Sequence, residues 1–209
     1  MRTAERPETE TTAYPPAPWA MHGHMWLSVF RLGRDVDAQR PRGIYGIAWV
    51  SYRDPSPLTY GELLVARPVS EPTRAVTITD IWVDSPASVA GGRALWAIPK
   101  DLADFDLDEG SRGPVSTASW SARVDGRRVA TARFSDVSSL TPRVPFKGGT
   151  WQPPIDEHVD DATAVLKGTS RPSPCRATWD IAPDGPLGWL AGARQLASFR
   201  MRDFAMSFG

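Results

Sequence analysis

The sequence predicts an α+β fold built mostly from a curved or closed antiparallel sheet. Short stretches rich in β-branched and aromatic residues recur along the 209-residue chain, each bounded by Gly, Pro or Asp. Helical patterns are few and short. An Asp-Gly turn at Asp125-Gly126, between two alternating stretches, is typical of a β-hairpin. Many strands with two short helices therefore indicate a sheet that curves on itself.

The N-terminal segment differs in composition from the rest of the chain. Residues 1–18 are rich in Thr, Glu and Pro and contain no apolar run, which predicts a flexible arm rather than a secretory signal. Residues 19–209 are predicted to form a single domain. Its first strands are expected at Met25–Leu32, Gly43–Tyr52, Tyr60–Val69 and Val76–Val83.

A helix is predicted next, from Ala87 to Trp96. The preceding Asp84-Ser85-Pro86 supplies a capping side chain and a proline for the first turn, and Pro99 ends the segment. Residues 135–154 and 168–174 are predicted to be proline-rich loops. The remaining elements are strands at Val115–Val124, Arg128–Ser135, Ala162–Lys167, Arg176–Ile181 and Ala197–Phe208, and a short helix near Pro186–Leu196.

Charge and cysteine content exclude several classes of function. The chain has 24 basic and 24 acidic residues, so it lacks the positive surface expected of a protein that binds nucleic acid or an anionic membrane. No apolar run approaches the ~18 residues that span a bilayer. The single cysteine, Cys175, can form neither an internal disulfide nor a thiolate metal site by itself. We expect a soluble, cytoplasmic protein.

No metal site is predicted. His22 and His24 would share one face of an extended strand, but no carboxylate or cysteine lies at a recognised ligand spacing nearby. The acidic run 104–108 resembles the start of a calcium loop, which requires glycine at its sixth position and glutamate at its twelfth. The chain has Glu109 and Val115 there, so a solvated acidic loop is expected.

Lys100 follows an apolar turn stiffened by Pro99. A lysine at its usual pKa of about 10.4 is almost wholly protonated at pH 7, and burial can lower that pKa until the amine becomes a nucleophile. Taken alone, a lysine close to a helix end is more often a surface cation that binds the last carbonyls. From the residues alone, both interpretations remain open.

The stretch around Lys100 resembles the acetoacetate decarboxylase superfamily. The features that carry the resemblance are Gly92-Arg93 and Pro99-Lys100, spaced as Gly-Arg-x5-Pro-Lys, and the upstream Tyr60-x-Glu62. The resemblance implies a cone-like β-barrel with a buried pocket, in which the lysine condenses with a ketone. Acetoacetate decarboxylase is itself a standard example of a lysine activated by desolvation or by a cationic neighbour.

Roles for individual residues follow from the resemblance alone. Lys100 would form the Schiff base, and Glu62 would be its catalytic partner in proton transfer. No metal or organic cofactor is required, and a homo-oligomer is expected. The implied substrate-binding residues are Arg93, His24, Tyr60 and Trp96.

Three departures from the family pattern bear on the substrate. Asp101 stands where the decarboxylase has a second lysine, and the region 45–48 lacks a second pocket glutamate. The arginine that would meet the substrate carboxylate is replaced near His24. The implied function is therefore a lyase that acts on a β-keto acid or related carbonyl compound other than acetoacetate.

Two alternatives remain open beside this lyase. The same fold and lysine could catalyse aldol condensation, dehydration or cyclisation in secondary metabolism, which product analysis would distinguish. A barrel that holds an apolar ligand without covalent chemistry is the other, and Lys100→Ala would then leave its function unchanged.

Overall fold

A closed barrel and a second, smaller sheet make up the fold in a computed structural model that describes residues 12–137 and 141–209. Most of the described residues lie in strands, which confirms the predicted fold class. The strands are β1 (Trp19–Leu32), β2 (Gly43–Tyr52), β3 (Tyr60–Val69), β4 (Ala75–Val83), β5 (Lys100–Leu102), β6 (Asp104–Arg112), β7 (Val115–Val124), β8 (Arg127–Asp136), β9 (Val144–Gln152), β10 (Ala162–Pro174), β11 (Arg176–Ile181) and β12 (Arg194–Phe208).

Seven strands close the barrel. They run in the order β3-β2-β1-β12-β10-β9-β4, and β4 pairs back to β3. Neighbours are antiparallel except where β4 meets β9, and β5 is added in parallel beside β4. The barrel is therefore mixed: β4 pairs antiparallel with β3 along one edge, and parallel with β9 and β5 along the other.

The second sheet covers part of the outside of the barrel. Its order is β11-β8-β7-β6, and all its pairings are antiparallel. Because successive side chains of a strand point to opposite faces, β1, β2 and β3 serve two apolar clusters at once. On β3, Leu63 and Val65 face the second sheet, whereas Glu62 and Leu64 face the barrel interior.

The helix α1 (Pro86–Trp96) agrees with its predicted position. The Ser85 side chain accepts a hydrogen bond from the Ser88 N–H at 3.2 Å, as the capping signal predicted. At the other end Ala97 adopts a left-handed conformation (φ 52°), and its N–H donates to the Arg93 carbonyl. This turn sends the chain directly into β5.

The predictions for three loops and for the second helix are wrong. The acidic run 104–108 lies in β6, where Phe105 and Leu107 pack inward and the aspartates between them face solvent. The predicted loops contain β9 and the end of β10, because pairing with neighbouring strands outweighs the low strand propensity of proline and glycine. The predicted helix near 186–196 is reduced to a 3₁₀ turn at Gly188–Leu190.

The predicted N-terminal arm falls largely outside the described residues. Residues 12–18 run without helix or strand into β1, which begins at Trp19 rather than at Met25. The Trp19 indole N–H donates to the Pro15 carbonyl at 2.8 Å.

Candidate active site

Lys100 projects into the barrel from the first position of β5. The strand pairs Lys100 with Ile81 of β4. Since side chains alternate along a strand, the neighbouring Asp101 points outward and is exposed, while Lys100 is only 5% exposed. The carboxylate that follows Lys100 in sequence is therefore not the group that governs its charge.

The Lys100 amine donates three hydrogen bonds, which satisfies all three of its N–H groups. Nζ lies 2.9 Å from Glu62 Oε2, 3.0 Å from Ser88 Oγ and 3.3 Å from the Tyr60 hydroxyl. The Tyr60 ring also faces the amine, with Nζ 5.1 Å from the ring centroid. The structure thus brings together three of the predicted site residues: Lys100, Glu62 and Tyr60.

Glu62 is 2% exposed and is held from both sides. One carboxylate oxygen accepts from Lys100, and the other, Oε1, accepts from the Tyr52 hydroxyl at 3.0 Å. The Tyr52 and Tyr60 rings lie against each other, with centroids 4.5 Å apart. This packing fixes the carboxylate next to the amine.

Burial and charge act in opposite directions on these groups. Burial lowers the pKa of Lys100, but the negative charge of Glu62, with the hydrogen bonds that the amine donates, raises that pKa above its usual value. Burial raises the pKa of Tyr60 and, more strongly, that of Tyr52, so both phenols stay neutral. The resting site is therefore an ion pair between two neutral phenols.

The amine and carboxylate lie in the wall of a cavity of about 390 Å³ inside the barrel. Its remaining wall is almost wholly apolar. The lining residues are Trp19, Met21, Met25, Leu27, Val29, Ile44, Gly46, Ala48, Tyr52, Tyr60, Glu62, Leu64, Ala66, Pro68, Val76, Ile78, Ile81, Trp96, Ile98, Lys100, Phe146, Thr150, Leu166, Met201, Phe204, Met206 and Phe208.

Helix α1 positions the Lys100 side chain through two residues one turn apart. Ser88 binds the amine, and Gly92 lies against the aliphatic stem. A Cβ at Gly92 would lie 2.8 Å from Lys100 Cδ, closer than side-chain carbons approach one another. Only glycine allows the stem to run this close to the helix.

Trp96 lies at the end of α1 and lines the cavity. Its ring packs edge-to-face on Trp19 and on Phe208, with centroids 4.8 Å and 4.7 Å apart. This aromatic group covers the cavity wall beside the helix.

Arg93, predicted to bind substrate, lies outside the cavity. Its Nη1 donates to the Lys100 carbonyl at 3.1 Å, and Nε and Nη2 form a two-point contact with Glu157 at 2.8 Å and 2.9 Å. The Glu157 contact raises the pKa of Arg93, with a smaller contribution from Asp101. Arg93 therefore supports the start of β5 through the backbone.

His24 also lies outside the cavity, on the opposite face of β1. Its Nδ1 accepts a hydrogen bond from the Asp203 N–H at 3.0 Å. Burial, followed by the positive charges of Arg53 and Arg200, lowers the pKa of His24 to about 4. The imidazole is thus neutral near pH 7 and faces the region between the barrel and the second sheet.

Sequence reasoning gave no role in the site to Ser88, Gly92 or Tyr52. Helix spacing could have found Ser88 and Gly92, because residues four apart share one face of a helix. Gly92 already belonged to the motif. Tyr52 ends β2 directly opposite Tyr60 in the β2–β3 hairpin, so the hairpin register was the available signal.

Two absences hold for the part of the chain that the structure describes. Its His, Cys, Asp and Glu residues form no group of three or more that could hold a metal ion. Over the same residues, no helix is both long and apolar enough to cross a membrane.

Comparison with known families matches part of the chain. A model of the acetoacetate decarboxylase family matches residues 35–147, more than half of the chain. The matched region contains Glu62, Gly92 and Lys100. No curated protein matches the chain in sequence.

Solved structures match over almost the full length. Acetoacetate decarboxylase from Legionella pneumophila has a TM-score of 0.66 at 13% identity and covers 99% of this chain and 89% of its own. An acetoacetate decarboxylase-like enzyme from Sphingomonas wittichii has 0.61 at 14%, with 100% and 97% covered. The enduracididine biosynthesis enzyme MppR, solved with the condensation product of pyruvate and imidazole 4-carboxaldehyde, has 0.60 at 17%, with 96% and 90% covered. These likenesses show a shared fold.

Proposed function

The chain belongs to the acetoacetate decarboxylase family, and we propose that it is a Schiff-base-forming lyase that acts on a β-keto acid or a related carbonyl compound. Family membership indicates an enzyme. The observation that carries the proposal is the buried Lys100 amine, 2.9 Å from the Glu62 carboxylate, in the wall of an otherwise apolar cavity. A nucleophilic amine with an adjacent proton acceptor is what imine formation requires.

Activation of Lys100 needs a proton transfer rather than a low pKa. The ammonium form cannot attack a carbonyl, and Glu62 favours that form. In an apolar cavity, however, a charged pair loses much of its advantage over a neutral pair because both ions have given up their hydration. We expect the proton to pass from Lys100 Nζ to Glu62 Oε2 when a substrate fills the cavity.

The reaction then proceeds with each atom accounted for. Neutral Lys100 attacks the ketone carbon, and a proton moves from nitrogen to oxygen to give a carbinolamine. Protonated Glu62 gives its proton to the hydroxyl group, which leaves as water, and a protonated imine remains beside a carboxylate. The Tyr52 hydroxyl stays hydrogen-bonded to Glu62 and stabilises that carboxylate.

Loss of carbon dioxide follows from the apolar wall. The bond between the α-carbon and the carboxylate breaks, and its electron pair moves into the protonated imine to give an enamine. A substrate carboxylate against apolar side chains is poorly solvated, and its conversion into neutral carbon dioxide relieves that cost. A proton taken up from solvent, directly from a water or by way of Glu62, then adds to the enamine carbon and restores the protonated imine. Hydrolysis of that imine by water releases the ketone and regenerates the Lys100 ammonium beside the Glu62 carboxylate.

A second candidate keeps Lys100 but uses a neutral carbonyl substrate. Among the described lining residues, no arginine or histidine faces the cavity to bind a substrate carboxylate. This observation favours an aldol, dehydration or cyclisation reaction through the same protonated imine. The products distinguish the two: carbon dioxide for the first, and a new carbon–carbon bond or lost water for the second.

Reductive trapping tests the proposal. The protein is incubated with β-keto acids and with pyruvate in the presence of borohydride, and its intact mass is measured. An imine adds the mass of the carbonyl compound less one water, and reduction adds two hydrogens. We expect one adduct on the wild type and none on Lys100→Ala, with turnover at least about 10⁴-fold lower in that variant because the covalent step is lost.

The chain offers a matched control for the trapping experiment. Lysine occurs at only two other positions, Lys147 and Lys167, and both are exposed. The double variant Lys147→Ala/Lys167→Ala should keep the adduct and the turnover. An adduct that survives Lys100→Ala, or no adduct on folded wild type with any carbonyl compound, would contradict the proposal.

A further inference from the structure

We propose that the natural substrate carries its reacting carbonyl at one end of a medium or long aliphatic chain, which lies along the inside of the barrel. This inference rests on the proposed function for the carbonyl end, whereas the chain is inferred from the cavity alone. The wall beyond Lys100 and Glu62 presents apolar side chains in every direction. A small polar acid would leave most of that surface in contact with water, which is unfavourable.

Charge in the cavity is confined to the Lys100 side. Among the described lining residues, Lys100 and Glu62 are the ones that carry charge, and the hydroxyls of Tyr52 and Tyr60 lie beside them. Binding pockets commonly combine a few placed polar groups with an apolar remainder that takes up the body of the ligand. The polar groups here fit a carbonyl head, and the apolar remainder fits a hydrocarbon tail.

The exposure of the cavity-facing residues gives the direction of the tail. Along β3 the row starts at buried Glu62, continues through half-buried Leu64 and Ala66, and ends at exposed Pro68. These six residue steps span about 20 Å. The cavity is therefore closed beside Lys100 and opens at its far end.

The adjacent strand shows the same gradient. On β2, Tyr52 and Ala48 are buried, Gly46 is half-buried, and Ile44 at the open end is 41% exposed. An apolar mouth at the end remote from the amine suits a chain that enters head first and leaves its tail near the opening.

Small residues keep the middle of this passage open. Gly46 lies opposite Ala66 in the β2–β3 pairing, and both line the cavity. A large side chain at Ala66 would occupy the space that the tail needs. Residue 66 is therefore expected to limit chain length, as a specificity-determining position.

The test compares acetoacetate, 3-oxooctanoate and 3-oxododecanoate below micelle-forming concentrations. Carbon dioxide release above the uncatalysed background and Lys100-dependent trapping are both measured. Each added methylene that is buried should raise kcat/KM by about fourfold, mainly through KM, until the passage is full. Equal or higher kcat/KM for acetoacetate would overturn the chain proposal and leave the proposed function standing.

Variants sharpen the same test. Ala66→Phe should lower the ratio of kcat/KM for 3-oxododecanoate over acetoacetate at least about tenfold. Val165→Phe is the matched control, because Val165 lies on the barrel wall but is exposed outside, and its ratio should match the wild type. An unchanged ratio in folded Ala66→Phe would overturn the chain proposal.

Failure of the proposed function gives a different result. If a twelve-carbon methyl ketone binds in competition with a fluorescent fatty acid, but no substrate forms a Lys100-dependent adduct or loses carbon dioxide, the chain inference stands and the lyase is excluded. If the methyl ketone does not bind the folded protein, the chain inference is wrong whatever the chemistry.

Discussion

Strands β1, β2 and β3 carry two rows of side chains, and the row that faces the second sheet is packed differently from the row that faces the barrel interior. The outer row includes Trp26, Trp49 and Leu63, which are fully buried against residues such as Trp120 in what we call the packed layer. The inner row borders a cavity of about 390 Å³. The packed layer thus stabilises the fold, while the interior is left open for a ligand.

Polar groups follow the same division. In the packed layer, Arg200 donates to Asp136 and to Glu109 at 3.1 Å each, and its guanidinium lies 5.0 Å from the Trp26 ring centroid. In the cavity, the ion pair of Lys100 and Glu62 borders open space. The contacts of Arg200 join the barrel to the second sheet, whereas the ion pair of Lys100 and Glu62 has room beside it for a reacting molecule.

Among the variants that keep Lys100, Glu62→Gln should have the largest effect on turnover, and its effect should be confined to the cavity. Turnover is expected to fall about 10²- to 10⁴-fold because glutamine cannot accept the Lys100 proton. Without the Glu62 charge, burial should lower the pKa of Lys100, and the proton must leave to solvent. In the variant, at pH values below that pKa, the rate of trapping by borohydride should therefore rise about tenfold for each unit of pH. In the wild type the trapping rate should depend only weakly on pH.

The control for this variant is Glu157→Gln, which alters the exposed partner of Arg93. It should leave both the turnover and the pH dependence of trapping close to those of the wild type. A Glu62→Gln protein with wild-type turnover would remove Glu62 from the proposed mechanism.

Leu63→Ala and Leu64→Ala apply the same change to the two faces of β3. Leu63 is fully buried in the packed layer, so its truncation should lower the free energy of unfolding by about 3–5 kcal/mol. Leu64 borders the existing cavity and is half-buried, so the cost should be about 1–2 kcal/mol. Urea denaturation of both variants measures the difference, and equal costs would refute the distinction between the faces.

Gly92→Ala should separate the position of Lys100 from its identity. The added Cβ would lie 2.8 Å from Lys100 Cδ, so the stem must move and turnover should fall about 10- to 100-fold. Gly33→Ala is the control, since a Cβ there meets nothing within 4 Å. If Gly92→Ala keeps full turnover and the same trapping rate, close approach of the helix is not required.

His24→Asn should have the smallest effect and act on stability rather than activity. The pKa of His24 is about 4 in the folded protein against 6.5 for the free side chain, so the unfolded chain binds more protons between these values. Stability is therefore lost as pH falls from 6.5 towards 4, by about 1–2 kcal/mol after allowance for solvent screening. Urea denaturation at both ends of this range should show a smaller loss in His24→Asn. If His24→Asn loses as much stability over this pH range as the wild type, His24 is not the source of the pH dependence.

The sequence predicted the elements with strong local signals. The helix, its Ser85 cap and the first four strands carried capping residues or alternating apolar residues. The strands β6 and β9 lacked such signals, because acidic residues in one and Pro and Gly in the other disfavour strands locally. Only pairing with β7, and with β10, makes them strands.

The candidate site likewise contains some residues that the sequence could predict and others that it could not. Lys100, Glu62 and Tyr60 were recognisable because they lie in short motifs, and the structure brings them together. Their partner Tyr52 and the outward direction of Asp101 depend on hairpin register and strand phase, which a one-residue shift would reverse. Arg93 lies in the same motif, yet it contacts the backbone of Lys100 instead of the cavity.

The alternation of side chains along β1–β3 also has an evolutionary consequence. Because neighbouring positions serve different tasks, mutations that reshape the cavity are largely decoupled from those that threaten folding. A library randomised at Leu27, Leu64 and Ala66 should retain many more folded members than one randomised at Trp26, Leu63 and Val65. A barrel of this kind can acquire new substrates through successive changes on one face while the other keeps the protein stable.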